Sequence, residues 1–389
     1  MTEIQKKYFK YKQKYINLKE IIGGGIEASY TISGKKLTLK YNLEGIEHEI
    51  KYTIKKILGR GTYGIVSLIE KEGDTTNKYI FKKGIKKSLF ESYTEGNKSN
   101  MLDGILDPEM LVLFQGKVQS DFLISTYNGN DLEKEFERKP KKIKDKNATT
   151  TNQLLELLHK INSNDIFHND IKLANITFKN DKVYLIDFGF LTKGISNAGS
   201  LISMSYMSVI TFLEEYNFNE YKHTYPYLKT FLKNTDIIGF FYCCINLLFL
   251  SNDIHDSSEL LHELEISDFK ENSIYNLFKL YYFILPTSIR NKIPDIDKQS
   301  NDECDPLLPT HLDAMCIFGN FPDDNKNLFR FMAHIYNKLN SNLRLKENQQ
   351  TWYKNFLKIM STCFLPDFDY DKFKPIFNQI VLQFKFLPK

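Results

Sequence analysis

The stretch Phe167-His168-Asn169-Asp170-Ile171-Lys172-Leu173-Ala174-Asn175 sets an Asp, a Lys and an Asn at fixed spacing. It is followed by two short apolar runs around Asn180-Asp181 and then by Asp187-Phe188-Gly189. Asp170 is of the right type to accept a proton from a substrate hydroxyl. Asn175 and Asp187 offer hard oxygen donors to Mg²⁺, a cation that uses few protein carboxylates and completes its shell with phosphates. Upstream, Gly59-Arg60-Gly61-Thr62-Tyr63-Gly64-Ile65-Val66 forms a GxGxxG turn. Glycines let a backbone approach phosphates closely because no Cβ fills that space. By itself the turn is equally what an ordinary Gly-rich hairpin shows. A dinucleotide fold would need a helix after the third glycine, whereas Ile65 to Ile69 reads as a strand. Lys82 closes the apolar strand Tyr79-Ile80-Phe81-Lys82-Lys83, eighteen residues beyond Gly64. Taken singly it is a surface lysine, but beneath a glycine turn it can reach nucleotide phosphates as a point charge.

These residues need particular elements to hold them. From Ala28 to Thr53, short runs of Thr, Ile, Leu and Tyr alternate with Lys and Glu, with turns at Ser33-Gly34 and Glu44-Gly45, so strands are expected. Two further strands flank the glycine turn between Leu58 and Lys83. A helix is expected near Lys87 to Leu102, then strands over Leu111 to Gln115 and Asp121 to Thr126, giving a region of about five strands with one helix. Leu154, Leu155, Leu157 and Leu158 fall on a helical spacing within Asn152 to Ile161, and beyond them the pattern is mostly helical, broken by a polar stretch at 295–305. The run Lys139 to Lys146 reads as a solvated loop.

Taken together these motifs resemble the eukaryotic-type protein kinases, from about Leu58 to at least Leu250. The resemblance implies an α+β, two-lobed fold over residues 26–389, with a β-rich N-lobe over about 26–125 and a mainly helical C-lobe over about 130–389, and ATP·Mg²⁺ in the cleft. It implies a Gly-rich loop at Gly59, Gly61 and Gly64 with Val66 beside it, Lys82 on the α/β-phosphates, Asp170 as catalytic base, and Asn175 and Asp187 as metal ligands. Leu123 to Leu132 resembles the inter-lobe hinge, with Ser125 as gatekeeper, Thr126 to Asn128 facing adenine and Asp131 placed for ribose. Thr235-Asp236-Ile237-Ile238-Gly239 resembles the start of the long C-lobe helix, whose Asp supports the catalytic loop. Lys172 is the residue type of the serine/threonine branch, so protein hydroxyls are the expected acceptors.

The helix glutamate that pairs with Lys82 is either Glu91 or Glu95. Counting back from the hinge favours Glu95. Two departures stand out: Asn169 occupies the position where the family has Arg, and Val209-Ile210 follow Tyr206-Met207-Ser208 where Pro-Glu is usual. A neutral amide at Asn169 offers no cation to a phosphorylated activation segment, so activity independent of such phosphorylation is expected. An inactive kinase-like scaffold and a small-molecule kinase remain as alternatives.

With 389 residues the chain has room for two domains or one two-lobed domain, and 42% hydrophobic with 26% charged residues suits a globular protein. A net charge of +4 is too balanced to mark a dedicated nucleic-acid binder. Five cysteines without a CxxC pair indicate neither a zinc cage nor a disulfide framework, so a reducing, cytoplasmic compartment is expected. The apolar run Ile237 to Leu250 contains Asn246 and is shorter than the roughly 20 residues of a membrane span, so it reads as a buried core helix and no transmembrane segment is expected. Residues 1–25 place Tyr8, Tyr11, Tyr15, Leu18 and Ile22 among lysines, an amphipathic basic helix ended by Gly23-Gly24-Gly25. It reads either as a disordered basic tail or as a segment that binds a partner, a membrane surface or nucleic acid. It also resembles an N-terminal stretch found on many proteins of giant DNA viruses, which implies such a source and action in the host cytoplasm or the virion.

Overall fold

Strand-forming alternation dominates the first part of the chain. In a computed structural model it gives β1 (Ile26–Ser33), β2 (Lys36–Leu43), β3 (Ile46–Arg60), β4 (Gly64–Lys71), β5 (Lys78–Gly84), β6 (Val112–Gly116) and β7 (Phe122–Thr126). The structure describes residues 26–43, 45–60, 64–74, 76–84, 95–116, 122–138, 147–193, 309–343, 345–364 and 368–384, together with 236, 237, 239–241, 243, 244 and 247. The basic segment 1–25, Gly61, Glu91, the run 139–146, the segment from Gly194 through Thr235 and the polar stretch 295–305 lie outside the described residues.

The seven strands close into a barrel in the order β1-β2-β3-β4-β5-β7-β6. This corrects the expectation of about five strands. Alternation marks strands but does not say which edges meet, and here β1 closes the sheet by pairing parallel with β6, from Ile26 opposite Phe114 to Ala28 opposite Gly116. Closure leaves no unpaired edge. Ala28, Leu37, Leu39, Tyr52, Ile69, Phe81, Phe122 and Ile124 fill the interior, where the Tyr30 ring meets Phe81 and Phe122 edge-on at 5.2 and 4.8 Å. Of the helix expected near Lys87 to Leu102, the described part is α1 (Glu95–Ser99), continued by a tighter turn over Asn100–Leu102.

Each buried Leu of the first hairpin stabilises the barrel by about 1.5–3 kcal/mol. Deleting residues 1–25 should therefore shift the melting temperature by less than about 3 °C, whereas deleting 1–43 should lower it by about 10 °C or more. Thermal melts of the two truncations check this, and a large drop on the shorter deletion would show that residues 1–25 pack on the domain.

The described helices beyond the barrel are α2 (Leu132–Arg138), α3 (Asn147–Asn162), α4 (His311–Phe318), α5 (Lys326–Leu343), α6 (Glu347–Ser361) and α7 (Tyr370–Phe384). α3 buries Leu154, Leu155, Leu158 and Ile161. A capping box between Thr310 and Asp313 starts α4. Trp352 stacks on Phe356 at 5.3 Å, and its indole N–H donates to the Ile380 carbonyl at 2.8 Å, which fastens α6 to α7. Phe377 of α7 meets Phe240 at 5.3 Å. Within the apolar run, Ile237, Phe240, Phe241, Cys243, Cys244 and Leu247 are buried, as a core helix requires. No helix among the described residues is long and apolar enough to cross a membrane.

Spatially the chain forms two units. The first comprises Met1–Asp131, Ser163–His168 and Asn175–Lys193; the second comprises Leu132–Asn162, Asn169–Ala174 and Gly194–Lys389. β8 (Ile166–Phe167) pairs with β11 (Thr192–Lys193), and Asp131 bridges Thr177, which binds the hairpin of β9 (Ile176–Lys179) and β10 (Lys182–Leu185) into the first unit.

Candidate functional site

The glycine turn joins β3 to β4, so both of its flanks are held in the barrel sheet. Gly64 is required by packing: a Cβ there would lie 2.6 Å from the Lys83 carbonyl on β5. A Cβ at Gly59 would meet nothing within 4 Å, so the protein's own packing does not explain that glycine. Val66 sits opposite Lys82 in the β4–β5 ladder.

Lys82 is the centre of a half-buried cluster within the first unit, of which Glu95 is the buried member. Its ammonium donates to Glu95 Oε2 at 2.7 Å and to Asp187 Oδ1 at 3.1 Å. Burial alone would favour the neutral amine, but the charges of Asp187 and Glu95 outweigh it and hold the Lys82 pKa above the ordinary lysine range. Burial pushes the Glu95 carboxyl up, opposed by the Lys82 ammonium. Glu95 lies in α1 and its carboxylate also accepts from the Phe188 backbone N–H, which favours the charged form. Lys98, one turn later, donates to the Gly189 carbonyl at 2.6 Å, so α1 is tied to Asp187-Phe188-Gly189 through Lys98 and through the Phe188 N–H on Glu95. Asp187 adopts a left-handed φ of 63°. The five described non-glycine residues with positive φ are Asp165, Asn169, Asn180, Asp181 and Asp187, the residue types that pay least for that conformation.

Around the hinge segment, Thr126 ends β7 and the Tyr127 amide donates to the Lys78 carbonyl at 3.0 Å. The Asn128 side chain is buried and donates to the Glu109 carbonyl at 2.6 Å, so its amide is engaged in bracing the segment; Lys179 reaches the Tyr127 carbonyl at 3.0 Å. His168 Nε2 lies 3.2 Å from the Ile186 carbonyl, an acceptor, so that nitrogen carries the proton.

In the second unit, Asp170 is buried and Lys172 approaches its carboxylate at 2.9 Å. The loop is held from Asp236, whose carboxylate is fully buried: Oδ1 accepts from the Asn169 backbone N–H at 2.8 Å and Oδ2 from Asn162 Nδ2 at 2.9 Å. Gly239 lets the helix of Asp236 approach closely, since a Cβ there would lie 2.5 Å from the Ile171 carbonyl. Tyr370 donates to Asn162 Oδ1 at 2.8 Å. Sequence reading missed Asn162 and Tyr370. Nothing local marks them, because Tyr370 meets a residue 208 positions away.

Among the described residues no group of three or more His, Cys, Asp or Glu could hold a metal. One carboxylate, Asp187, and one amide, Asn175, fit a hard cation that takes its remaining ligands from phosphate and water, and the Ile186 amide bonded to the Asn175 carbonyl at 3.0 Å joins the backbones of the two segments. The same pair would not suit a resident structural metal.

Residues 52–212 match the family model of the protein kinase domain. Among curated proteins, the chain is 28% identical over 221 residues to the calcium-dependent protein kinase 6 of Plasmodium berghei (strain Anka), a match covering 53% of this chain and 14% of that relative.

Proposed function

We propose that this chain is an ATP-dependent protein kinase that phosphorylates serine and threonine hydroxyls of protein substrates. The observation that carries the reading is the Lys82–Glu95–Asp187 cluster, with Glu95 buried and Lys82 bonded to both carboxylates, in a chain whose residues 52–212 match the protein kinase domain. In this reading Gly59, Gly61 and Gly64 let the backbone approach the phosphates, and Lys82, oriented by Glu95, neutralises the α/β-phosphates. Val66, Thr126, the backbone of Asn128 and Asp131 contact the nucleoside. Asn175 and Asp187 would hold Mg²⁺, which when bound neutralises charge on the transferring phosphate and its leaving group. The acceptor oxygen attacks the γ-phosphorus, the bond to the β–γ bridging oxygen breaks, ADP leaves, and the hydroxyl proton passes to Asp170.

The test is incubation with labelled ATP, Mg²⁺ and generic protein substrates. Asp170→Ala should lose activity by about 100- to 10,000-fold. Equal labelling by wild type and variant, or none by wild type, would overturn the reading. Lys172, already beside Asp170, can bridge the γ-phosphate near a short hydroxyl side chain, so peptide arrays should show serine and threonine phosphorylated ahead of tyrosine. An array dominated by tyrosine would refute that preference. Within the same proposal the protein acts in a reducing cytoplasm, of the host if its source is a virus.

A further inference from the structure

The Asp236 carboxylate is fully buried, and a buried carboxylate is tolerated only when hydrogen bonds replace its water. Two of its donors are the Asn169 N–H and the Asn162 amide. The Asn162 amide presents its NH₂ to Asp236 only if its oxygen faces the other way, and that oxygen accepts the Tyr370 hydroxyl at 2.8 Å. A carbonyl oxygen turned toward Asp236 would set acceptor against acceptor, so the carboxylate sets the orientation and the tyrosine hydroxyl, donating to the amide oxygen, anchors the amide in it. The Tyr370 ring is fixed in its turn: it stacks on His159 at 4.8 Å with 6° between planes, and Phe368 meets it edge-on at 4.8 Å. Burial and the nearby Asp236 charge keep the phenol protonated, hence a donor. At the other end, Asn169 holds a φ of 62° immediately before Asp170. Asn adopts that conformation at low cost, and the bond from its N–H to Asp236 holds it there. Tyr370, Asn162, Asp236, Asn169 and Asp170 all lie in the second unit.

We infer that Tyr370, at the start of the C-terminal helix α7, is a positioning residue that orients Asp170 through Asn162, Asp236 and the Asn169 backbone. The inference rests on the reading of Asp170 as the group that receives the substrate proton. It gives the C-terminal helix a task in turnover although it contacts no reacting atom. Misplacement of a reacting group by a fraction of an ångström slows chemistry without a matching loss of binding.

The experiment uses the full chain. Tyr370→Phe keeps the ring stack and removes only the hydroxyl, and Asn162→Ala provides a second variant. Hydrogen exchange of the free protein should show amides 166–172 exchanging about fivefold faster in Tyr370→Phe, with α7 itself unchanged. Turnover should fall roughly tenfold with KM for ATP within about twofold. In an Asn162→Ala background, adding Tyr370→Phe should change neither readout further. Unchanged exchange, unchanged kcat despite faster exchange, or a full additional effect in the Asn162→Ala background would each overturn the inference. A wild-type chain that transfers no phosphate would instead overturn the kinase reading, and the exchange result would then decide the link to Asn169 by itself.

Discussion

Lys82→Met is expected to lower phosphoryl transfer roughly 100- to 1,000-fold while β5 stays paired in the barrel. The lysine is shared by Glu95 at 2.7 Å and Asp187 at 3.1 Å, so one substitution removes both the cation for the phosphates and the group that orients α1 toward β5. Methionine has a similar length and fills the space, so packing is largely kept. Glu95 then sits buried without its ammonium. Burial already pushes its pKa up, and loss of Lys82 pushes it further, so the carboxyl takes up a proton in the folded variant. A raised folded pKa stabilises below the unfolded pKa and loses that contribution as pH rises through the folded value. The melting temperature of Lys82→Met relative to wild type should therefore drop on going from acidic to neutral pH. Single-turnover assays with labelled ATP and melts across pH check both parts, and turnover within about threefold of wild type would exclude Lys82 from the chemistry.

Asp187→Ala should abolish transfer and also remove the metal dependence of nucleotide binding. Of the two proposed metal donors only Asp187 is charged, and Asn175 alone cannot compete with water for a hard dication. The expected loss of metal-assisted affinity is about 3 kcal/mol, roughly 100-fold in Kd. Titrating ATP analogues with and without Mg²⁺ by calorimetry measures it. An affinity that Mg²⁺ still enhances in the variant would remove Asp187 from the metal site. The barrel should remain folded, because Lys82 keeps Glu95 as a partner at 2.7 Å.

Local chemistry was legible in the sequence wherever a few neighbouring residues fix the backbone. Asn180 and Asp181, with φ of 53° and 60°, make the tight hairpin between β9 and β10 because Asn and Asp adopt left-handed backbone at low cost. The α3 face of Leu154, Leu155 and Leu158 follows from helical periodicity alone, while the burial of Ile237, Phe240, Phe241, Cys243, Cys244 and Leu247 follows from the length of their apolar run. The types and spacing of Asp170, Asn175 and Asp187 suit the phosphoryl transfer proposed above. What the tertiary structure decided are pairings between distant segments, which periodicity does not encode. Glu91 and Glu95 are the same residue type four positions apart; the described geometry puts Glu95 against Lys82 because α1 is tied to the Asp187 segment through Lys98 and the Gly189 carbonyl. The first hairpin read as strands, yet only the backbone match of residues 26–28 to 114–116 turned an open sheet into a barrel. Tyr370 carries no motif at all, and its place in the site exists because packing of α7 against the core sets its hydroxyl 2.8 Å from Asn162. Short-range sterics and side-chain type act within a few residues, whereas burial and hydrogen-bond satisfaction are properties of the assembled core.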